Sequence, residues 1–369
     1  MRIGFDRTFA EINQAGTGIY VDSLARALVN RADNDTVRFF SAGQFRDLSK
    51  PKTLRTRMDT LYRDLIWMHL ILPIQARKTY IDLLHMPANL CPIYSPCPVV
   101  LTILDTIIYQ NPNNFPLWQR NYFLALGPHS ARNAAHIITI SESSKADIVK
   151  TFGISPEKIT SIPIAVSPEF RILDESHIKN VKLKFGLNRF ILTVGAIEPR
   201  KNLLRLMQAF NMIRNNYPDI VLVHAGPRGW HMDHLMPYIE QQGLSSSVRF
   251  IGRVPLSELV GLYNAATLFA YPSLYEGFGL PVLEAMSCGC PVITSNVSSM
   301  PEIAGGSTIL IDPLQTEEIA GAIQSLISKP DLREILRQKG LQRANCFSWS
   351  QCANETIEVY QKVLGITPG

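Results

Sequence analysis

The chain has 369 residues, 46% apolar and 18% charged, with a formal net charge of +5. That composition excludes a disordered or fibrous polymer and gives enough apolar surface for two globular domains. The mild positive charge suits an anionic ligand or membrane surface, and there is no compact basic tract with interleaved aromatics, so nucleic acid is not an expected partner.

Taken in order, Met1-Arg2-Ile3-Gly4-Phe5 opens directly into a strand, without the pattern of a secretory leader. No run reaches the ~18 apolar residues a spanning helix needs, so the expected location is cytoplasmic or peripheral at the inner face of the membrane. The strand is followed by a loop ending Ala15-Gly16-Thr17-Gly18 and a helix over 19–30. Strand, glycine loop and helix open a nucleotide-type fold, although a tight turn alone also wants such glycines. Val21 stands where a dinucleotide fingerprint has its third glycine, which argues against a dinucleotide-dependent oxidoreductase.

Next comes a basic segment, Arg46, Lys50, Lys52, Arg55, Arg57 and Arg63, leading into the aromatic-apolar run 65–72. It reads either as a partly buried helix with a solvated flank or as an interfacial anchor on anionic membrane. Residues 81–87 form a short strand in which His85 is either a polar cleft-lining residue or a satisfied core histidine. A buried strand over 98–103 ends at Leu104-Asp105, the position where α/β proteins place ligand-facing side chains. A helical stretch from Pro116, a strand over 136–140 and a helix opened by Ser141 to Ser144 follow, with Ser144 and Asp147 at capping-box spacing.

Charged, Pro-containing sequence over 167–184 reads as the passage between domains. A second nucleotide-type domain starts with a strand over 190–195, the loop 196–202 and a helix over 203–215. Arg200 and Lys201 put two cations in that strand-to-helix loop, where they would neutralise a diphosphate. After a strand over 220–226, His231 and His234 have metal-ligand spacing, which a surface loop or first helical turn explains as well. A strand over 248–251 precedes Gly252-Arg253-Val254 and an amphipathic helix over 257–265. The six cysteines, at 91, 97, 288, 290, 346 and 352, complete no zinc spacing and read as buried free thiols.

Residues 271–295, YPSLYEGFGLPVLEAMSCGCPVITS, read as strand, Gly-rich turn, helix from about Leu280 with Pro281 in its first turn, and a second buried strand. Glu276 in the turn and Glu284, placed on the helix's first turn, converge with the amides of Gly277, Phe278 and Gly279 on a helix N-terminus. Such a place binds an anion. Carboxylates beside it suit hydrogen bonds from sugar or ribose hydroxyls. Ser299 to Glu302 caps a short helix, residues 308–311 form a strand, and helices from about Thr316, Asp331 and Ser350 close the chain.

Glu276, seven residues, then Glu284 within this string resembles the signature of the retaining nucleotide-sugar glycosyltransferases of glycosyltransferase family 4, also called glycosyltransferase group 1. The likeness runs from about residue 85 to 349 and is strongest after Ile191. It implies an α/β GT-B fold of two facing Rossmann-like domains with the active site in the cleft between them. The domains are then an acceptor-side domain over 1–175, with the helix 350–369 packing back on it, and a nucleotide-sugar-binding domain over 186–349. It also implies transfer of a hexosyl group from UDP-glucose or GDP-mannose, with retention and in polysaccharide biosynthesis, to a saccharide or lipid-linked saccharide acceptor. No cofactor and no metal are expected. By the same resemblance Glu276 and Asp105 serve the donor sugar, Lys201 with Arg200 the diphosphate, and Gly277, Phe278, Gly279 and Leu280 sugar and diphosphate. Glu284 then holds the ribose, the backbone of Arg253 and Val254 faces the base, and Gly16 and Gly18 face the donor phosphates. Leu104 replaces the family's usual His and Ala196 its usual Arg, Arg200 being the candidate substitute. These departures keep alive a noncatalytic relative acting as a membrane-associated binding or scaffold protein.

Overall fold

The computed structural model describes residues 1–12, 16–31, 37–43, 54–227 and 232–366. The chain divides into two compact units, Met1–Ile164 with Ser348–Gly369, and Ala165–Phe347.

The first unit holds a six-stranded sheet of β1 (Ile3–Asp6), β2 (Val37–Phe40), β3 (Leu83–Met86), β4 (Val99–Thr102), β5 (His136–Thr139) and β6 (Ile159–Ser161) in the order β2-β1-β3-β4-β5-β6. All neighbours run parallel. The four central strands are buried at every position, as a sheet covered by helices on both faces requires. The edge strands β2 and β6 are half-exposed. They show neither a continuous apolar run nor a clean alternation, and for that reason they were not legible in the sequence.

The helix Gly16–Val29 starts at Gly16, so Gly16 and Gly18 lie in its first turn and not in a loop. The capping of Glu142–Phe152 also differs from the expectation: Ser141 is the cap, accepting from the Ser144 amide at 3.0 Å. The final helix Trp349–Leu364 belongs to this unit and explains His85. That imidazole is fully buried, its Nδ1 2.6 Å from the Tyr360 hydroxyl and its Nε2 2.8 Å from Thr102 Oγ1. Burial pushes its pKa down to about 3. His85 is therefore a satisfied core residue pinning the last helix to β3 and β4, not a lining residue.

Residues 54–78 form one continuous rod: helix Leu54–Leu61, a π-helical segment Tyr62–Ile71 and helix Leu72–Lys78. Its inner side sends Trp67, Met68, Leu72 and Ala76 into the core with Leu84, Leu101 and Ile137. Met58, Leu61, Leu65, Leu70 and Ile74 are exposed. The five-residue step from Leu65 to Leu70 falls in the π segment, whose i→i+5 turn keeps the two on one side. Arg63 is not an outward cation. It makes a forked contact with Asp64 at 2.5 and 2.8 Å and stands 5.2 Å over the Phe9 ring. Arg46, Lys50, Lys52, the side chains of Arg55 and Arg57, and the His231/His234 pair lie outside the described residues. No described helix is long and apolar enough to cross a membrane.

The second unit holds β7 (Arg189–Val194), β8 (Ile220–Ala225), β9 (Val248–Gly252), β10 (Leu268–Tyr271), β11 (Val292–Ser295) and β12 (Ile309–Ile311), ordered β12-β11-β10-β7-β8-β9. From β7 the chain winds outward to β9, returns to pair β10 with β7, and winds outward again. In doubly wound folds ligands bind outside the carboxyl ends of the strands at this reversal. The core gathers Leu206, Met207 and Phe210 with Ile319, Ile323 and Leu326.

Residues 167–184, expected to be the passage between domains, belong to this unit, which begins at Ala165. Asp174 caps the helix Glu175–Phe185 by accepting from the His177 amide at 2.9 Å, and Gly186 ends it at φ +57°. No residue of this helix is fully buried, and for that reason its composition resembles a linker. It packs on the helix Leu256–Ala265 where Gly261 leaves no room for a side chain against Val181. Four cysteines are buried, but Cys97 is half-buried and Cys346 exposed, and all six are free thiols.

Candidate active site

The loops after β7 and β10 flank the reversal point and are stitched together by their own backbones. Leu274 donates its amide to Arg200 O at 2.7 Å, and Ser273 Oγ lies 3.0 Å from the same carbonyl. Asn202 adopts φ +58°, a left-handed conformation that asparagine tolerates better than most residues. It anchors the first loop by donating from Nδ2 to Pro272 O at 3.1 Å and Pro313 O at 2.7 Å. Gly195 follows β7 at φ +136°, a conformation that residues with side chains rarely adopt, and the Lys201 stem runs past it at van der Waals distance.

Glu276 is the centre of what these loops bring together. Its Oε1 lies 2.5 Å from Lys201 Nζ and 2.8 Å from Arg200 Nη1, and accepts from Ser273 Oγ at 2.7 Å and the Tyr271 hydroxyl at 2.9 Å. Lys201 also donates to the Tyr271 hydroxyl. Burial alone would raise the Glu276 carboxyl; the two cations overcome it and hold it down at about 2. Burial pushes the Lys201 ammonium below its ordinary value, against the pull of Glu276. Lys201 is therefore a largely enclosed cation and not the exposed loop residue its position suggests. Arg200 spends Nε on Glu198 at 2.7 Å and Nη1 on Glu276 and the Tyr275 carbonyl. Its Nη2 has no protein partner among the described residues. Ala196 stands where the resemblance expects an Arg, and the guanidinium of Arg200, the candidate substitute, reaches Glu276.

The turn from Glu276 to Gly279 is held from behind by two serines. Ser298 Oγ donates to Glu276 O at 2.6 Å, while the single hydroxyl proton of Ser299 is shared between Phe278 O at 2.7 Å and Glu276 O at 2.9 Å. Ser299, expected as a helix cap, spends its hydroxyl on this turn instead. Phe278 is buried edge-on against Phe347, so only its backbone is available to a ligand. Gly279 precedes the helix Leu280–Ser287 at φ +107°, with no room for a side chain against Met300. Glu284 lies one turn deeper than expected, on the second turn of that helix. It accepts from the Tyr263 hydroxyl at 2.8 Å, and burial pushes its carboxyl up to about 7.

Sequence reasoning singled out Glu276, Glu284, Arg200, Lys201 and the glycines of the turn, but not the residues that hold them: Tyr271, Ser273, Tyr263, Ser298 and Ser299. Tyr271 and Tyr263 read as core aromatics. A hydroxyl at a buried position was the available signal, because it must find a partner. Arg253 is exposed and Val254 half-buried in the turn after β9. Gly16, Gly18 and Asp105 belong to the first unit. Asp105 Oδ1 accepts from the Ile107 amide at 3.1 Å, and Leu104 is buried with its amide on Asn89 Oδ1.

Residues 174–343 match the family described as glycosyl transferases group 1, and residues 15–170 match glycosyltransferase family 4. The chain is 35% identical over 268 residues to the O-antigen chain mannosyltransferase B of Escherichia coli, covering 71% of this chain and 70% of that protein. It is 32% identical over 276 residues to the serotype-specific mannosyltransferase WbdA of Escherichia coli, covering 73% of this chain but only 33% of that longer protein. Among solved structures, the sucrose-phosphate synthase from Thermosynechococcus elongatus superimposes with a TM-score of 0.77 at 18% identity, over 99% of each chain. With a cation-carboxylate cluster at the reversal point of a doubly wound unit and these matches to both halves, the chain belongs to glycosyltransferase family 4, the group 1 glycosyl transferases, and has the GT-B fold.

Proposed function

We propose that this glycosyltransferase moves a mannosyl group from GDP-mannose to a saccharide or lipid-linked saccharide acceptor, with retention at the anomeric carbon, in O-antigen-type polysaccharide synthesis. The observation that carries the chemistry is the Lys201-Arg200-Glu276 cluster. The choice of mannose over glucose is supported by the two mannosyltransferase relatives. Departure of a nucleoside diphosphate requires stabilising the charge that grows on its oxygens. Lys201 Nζ and the Nη2 side of Arg200 supply preorganised cations for it, reinforced by the helix start at Gly279. Glu276 orients both cations and presents its carboxylate to the sugar hydroxyls. Glu284, once ionised, accepts from the ribose. Protein cations in these positions support a metal-independent reaction. The sequence does contain an Asp-x-Asp triplet, Asp33-Asn34-Asp35, which lies outside the described residues, so unchanged turnover in EDTA is part of the proposal.

The test is calorimetry with GDP-mannose and UDP-glucose, together with NMR assignment of the product anomer. GDP-mannose binds and is turned over with retention if the reading holds; preference for UDP-glucose, or an inverted product, sinks it. The pH dependence has a definite sign. Glu284 is raised in the folded chain, so the fold holds an extra proton between the ordinary carboxylate value and about 7 and loses stability as pH rises through that window. The acceptor form needed for ribose appears only as pH rises through about 7. GDP affinity therefore increases from pH 6 to 8 in wild type and is flat, and lower, in Glu284→Ala.

A lipid-linked acceptor places the enzyme at a membrane. The exposed stripe Met58, Leu61, Leu65, Leu70 and Ile74, with exposed Arg77 and Lys78 at its end, supports that attachment. Wild type floats with phosphatidylglycerol-containing vesicles, and replacing Leu65 and Leu70 with glutamine abolishes flotation while GDP affinity is kept. A wild type that never floats leaves the stripe a solvated surface.

A further inference from the structure

Tyr263 lies on the helix Leu256–Ala265, outside both the strand-to-helix turn and the loop that carries the cations. Its ring is fully buried, edge-on to Phe170 at 6.0 Å and to Phe269 at 5.3 Å. Phe269 in turn stacks on Tyr271 at 5.6 Å, so the two tyrosines stand at either end of one row of rings. A ring packed in this way fixes where its hydroxyl stands, and a buried hydroxyl must find a partner. Tyr271 finds Glu276 at 2.9 Å, and Tyr263 finds Glu284 Oε2 at 2.8 Å.

The choice of partner is informative. A packed tyrosine that needs only to be satisfied can donate to a backbone carbonyl, as Tyr109 does to Phe123 O at 2.9 Å and Tyr122 to Asp64 O at 2.6 Å. Tyr263 donates instead to a carboxylate, which makes the stronger and more directional bond. Glu284 is half-buried, and its Oε1 has no protein partner among the described residues. The titratable and charged groups that face this carboxylate are Tyr263, Lys201 from the loop after β7, Tyr271 from β10 and Cys288 at the end of its own helix. Among the described residues only Tyr263 is hydrogen-bonded to it, because Lys201 and Tyr271 turn to Glu276. We propose that Tyr263 is a positioning residue for nucleotide recognition: its hydroxyl fixes the Glu284 carboxylate through Oε2 and leaves Oε1 to accept from a ribose hydroxyl. The inference rests on the proposed ribose role of Glu284 and is independent of the base and sugar of the donor. It has a signature in pH. Burial raises the Glu284 carboxyl to about 7 against the opposing effect of the Tyr263 hydrogen bond, so removing the hydroxyl pushes the carboxyl higher still.

The experiment is calorimetry on the full chain with GDP, and with UDP in parallel, from pH 6 to 9. Tyr263→Phe keeps the ring and removes the hydroxyl, and the ratio of variant to wild-type affinity at each pH cancels the titration of the ligand and of Lys201. The Glu284 midpoint rises by about one pH unit, so the variant binds about 5-fold more weakly at pH 7 and less than about 2-fold more weakly at pH 9. In a Glu284→Ala background the same change alters nothing at any pH, since the hydroxyl has no carboxylate to act on. A ratio that is the same at every pH, or a Tyr263→Phe effect that persists in Glu284→Ala, overturns the proposal. A Tyr263→Phe chain that fails to fold across this range also overturns it, by making the hydroxyl a packing requirement. If Glu284→Ala itself binds both diphosphates as wild type does, the ribose reading falls and takes this inference with it. If Glu284→Ala weakens binding while Tyr263→Phe does not, the ribose reading stands and the positioning role alone falls.

Discussion

Lys201→Ala lowers kcat by about 100-fold or more, because one preorganised cation facing a developing negative charge is worth ~2.7–4 kcal/mol. The ammonium is enclosed with Glu276 at 2.5 Å, so it is already desolvated and oriented when a diphosphate arrives. Lys201→Arg does not rescue. The stem folds over Gly195 toward the Tyr271 hydroxyl, and a planar guanidinium cannot take the place of a compact ammonium there. The fold survives the alanine change, since Glu276 keeps Arg200, Ser273 and Tyr271 as partners. Steady-state kinetics beside a melting curve checks both statements. Equal kcat in variant and wild type refutes the role, and a collapsed melting transition would make Lys201 a structural residue.

Glu276→Gln gives the opposite pairing of effects. It keeps shape but leaves Lys201 and Arg200 enclosed without their shared anion. Breaking a buried pair in this way costs ~3–5 kcal/mol, reduced here by Glu198, which still pairs with Arg200. The Glu276 carboxyl is held at about 2, below its unfolded value, so its stabilisation is present above the ordinary carboxylate range and lost as pH falls through about 2. The stability gap between wild type and variant is therefore full at pH 6 and closes on acidification. Turnover falls at least ~10-fold, equivalent to ~1.4 kcal/mol, while affinity for free GDP is kept or increased because the two cations have lost their internal competitor. Calorimetry with GDP against kinetics with the sugar nucleotide separates these. Loss of GDP affinity with unchanged kcat would move Glu276 from the sugar to the nucleotide.

Both predictions depend on geometry that the sequence announced unevenly. The central strands and the β10 turn-helix motif were legible because their signals are local. Buried parallel strands are continuous apolar runs, and Gly279 with Pro281 marks a helix start within a few residues. Edge strands β2 and β6 and the cap-to-cap helix Glu175–Phe185 were not, since half-exposed elements carry little periodic contrast. His85 illustrates the limit: a lone histidine at a strand end has the same sequence signature whether it faces a ligand or, as here, the Tyr360 hydroxyl 275 residues away.

The sequence by itself determined two α/β units and a family, and within the second unit which carboxylates, cations and glycines to look for around one strand-to-helix turn. Those properties reside in residue types at fixed short spacings. Only the tertiary structure decided that Arg200 reaches Glu276, that Lys201 is enclosed, and that Ser273, Tyr271, Ser298 and Ser299 hold the Glu276 turn. The pairing of β7 with β10 brings loops some 75 residues apart into contact at the reversal point. Desolvation and charge there act over a few ångströms, a distance scale on which sequence separation carries no information.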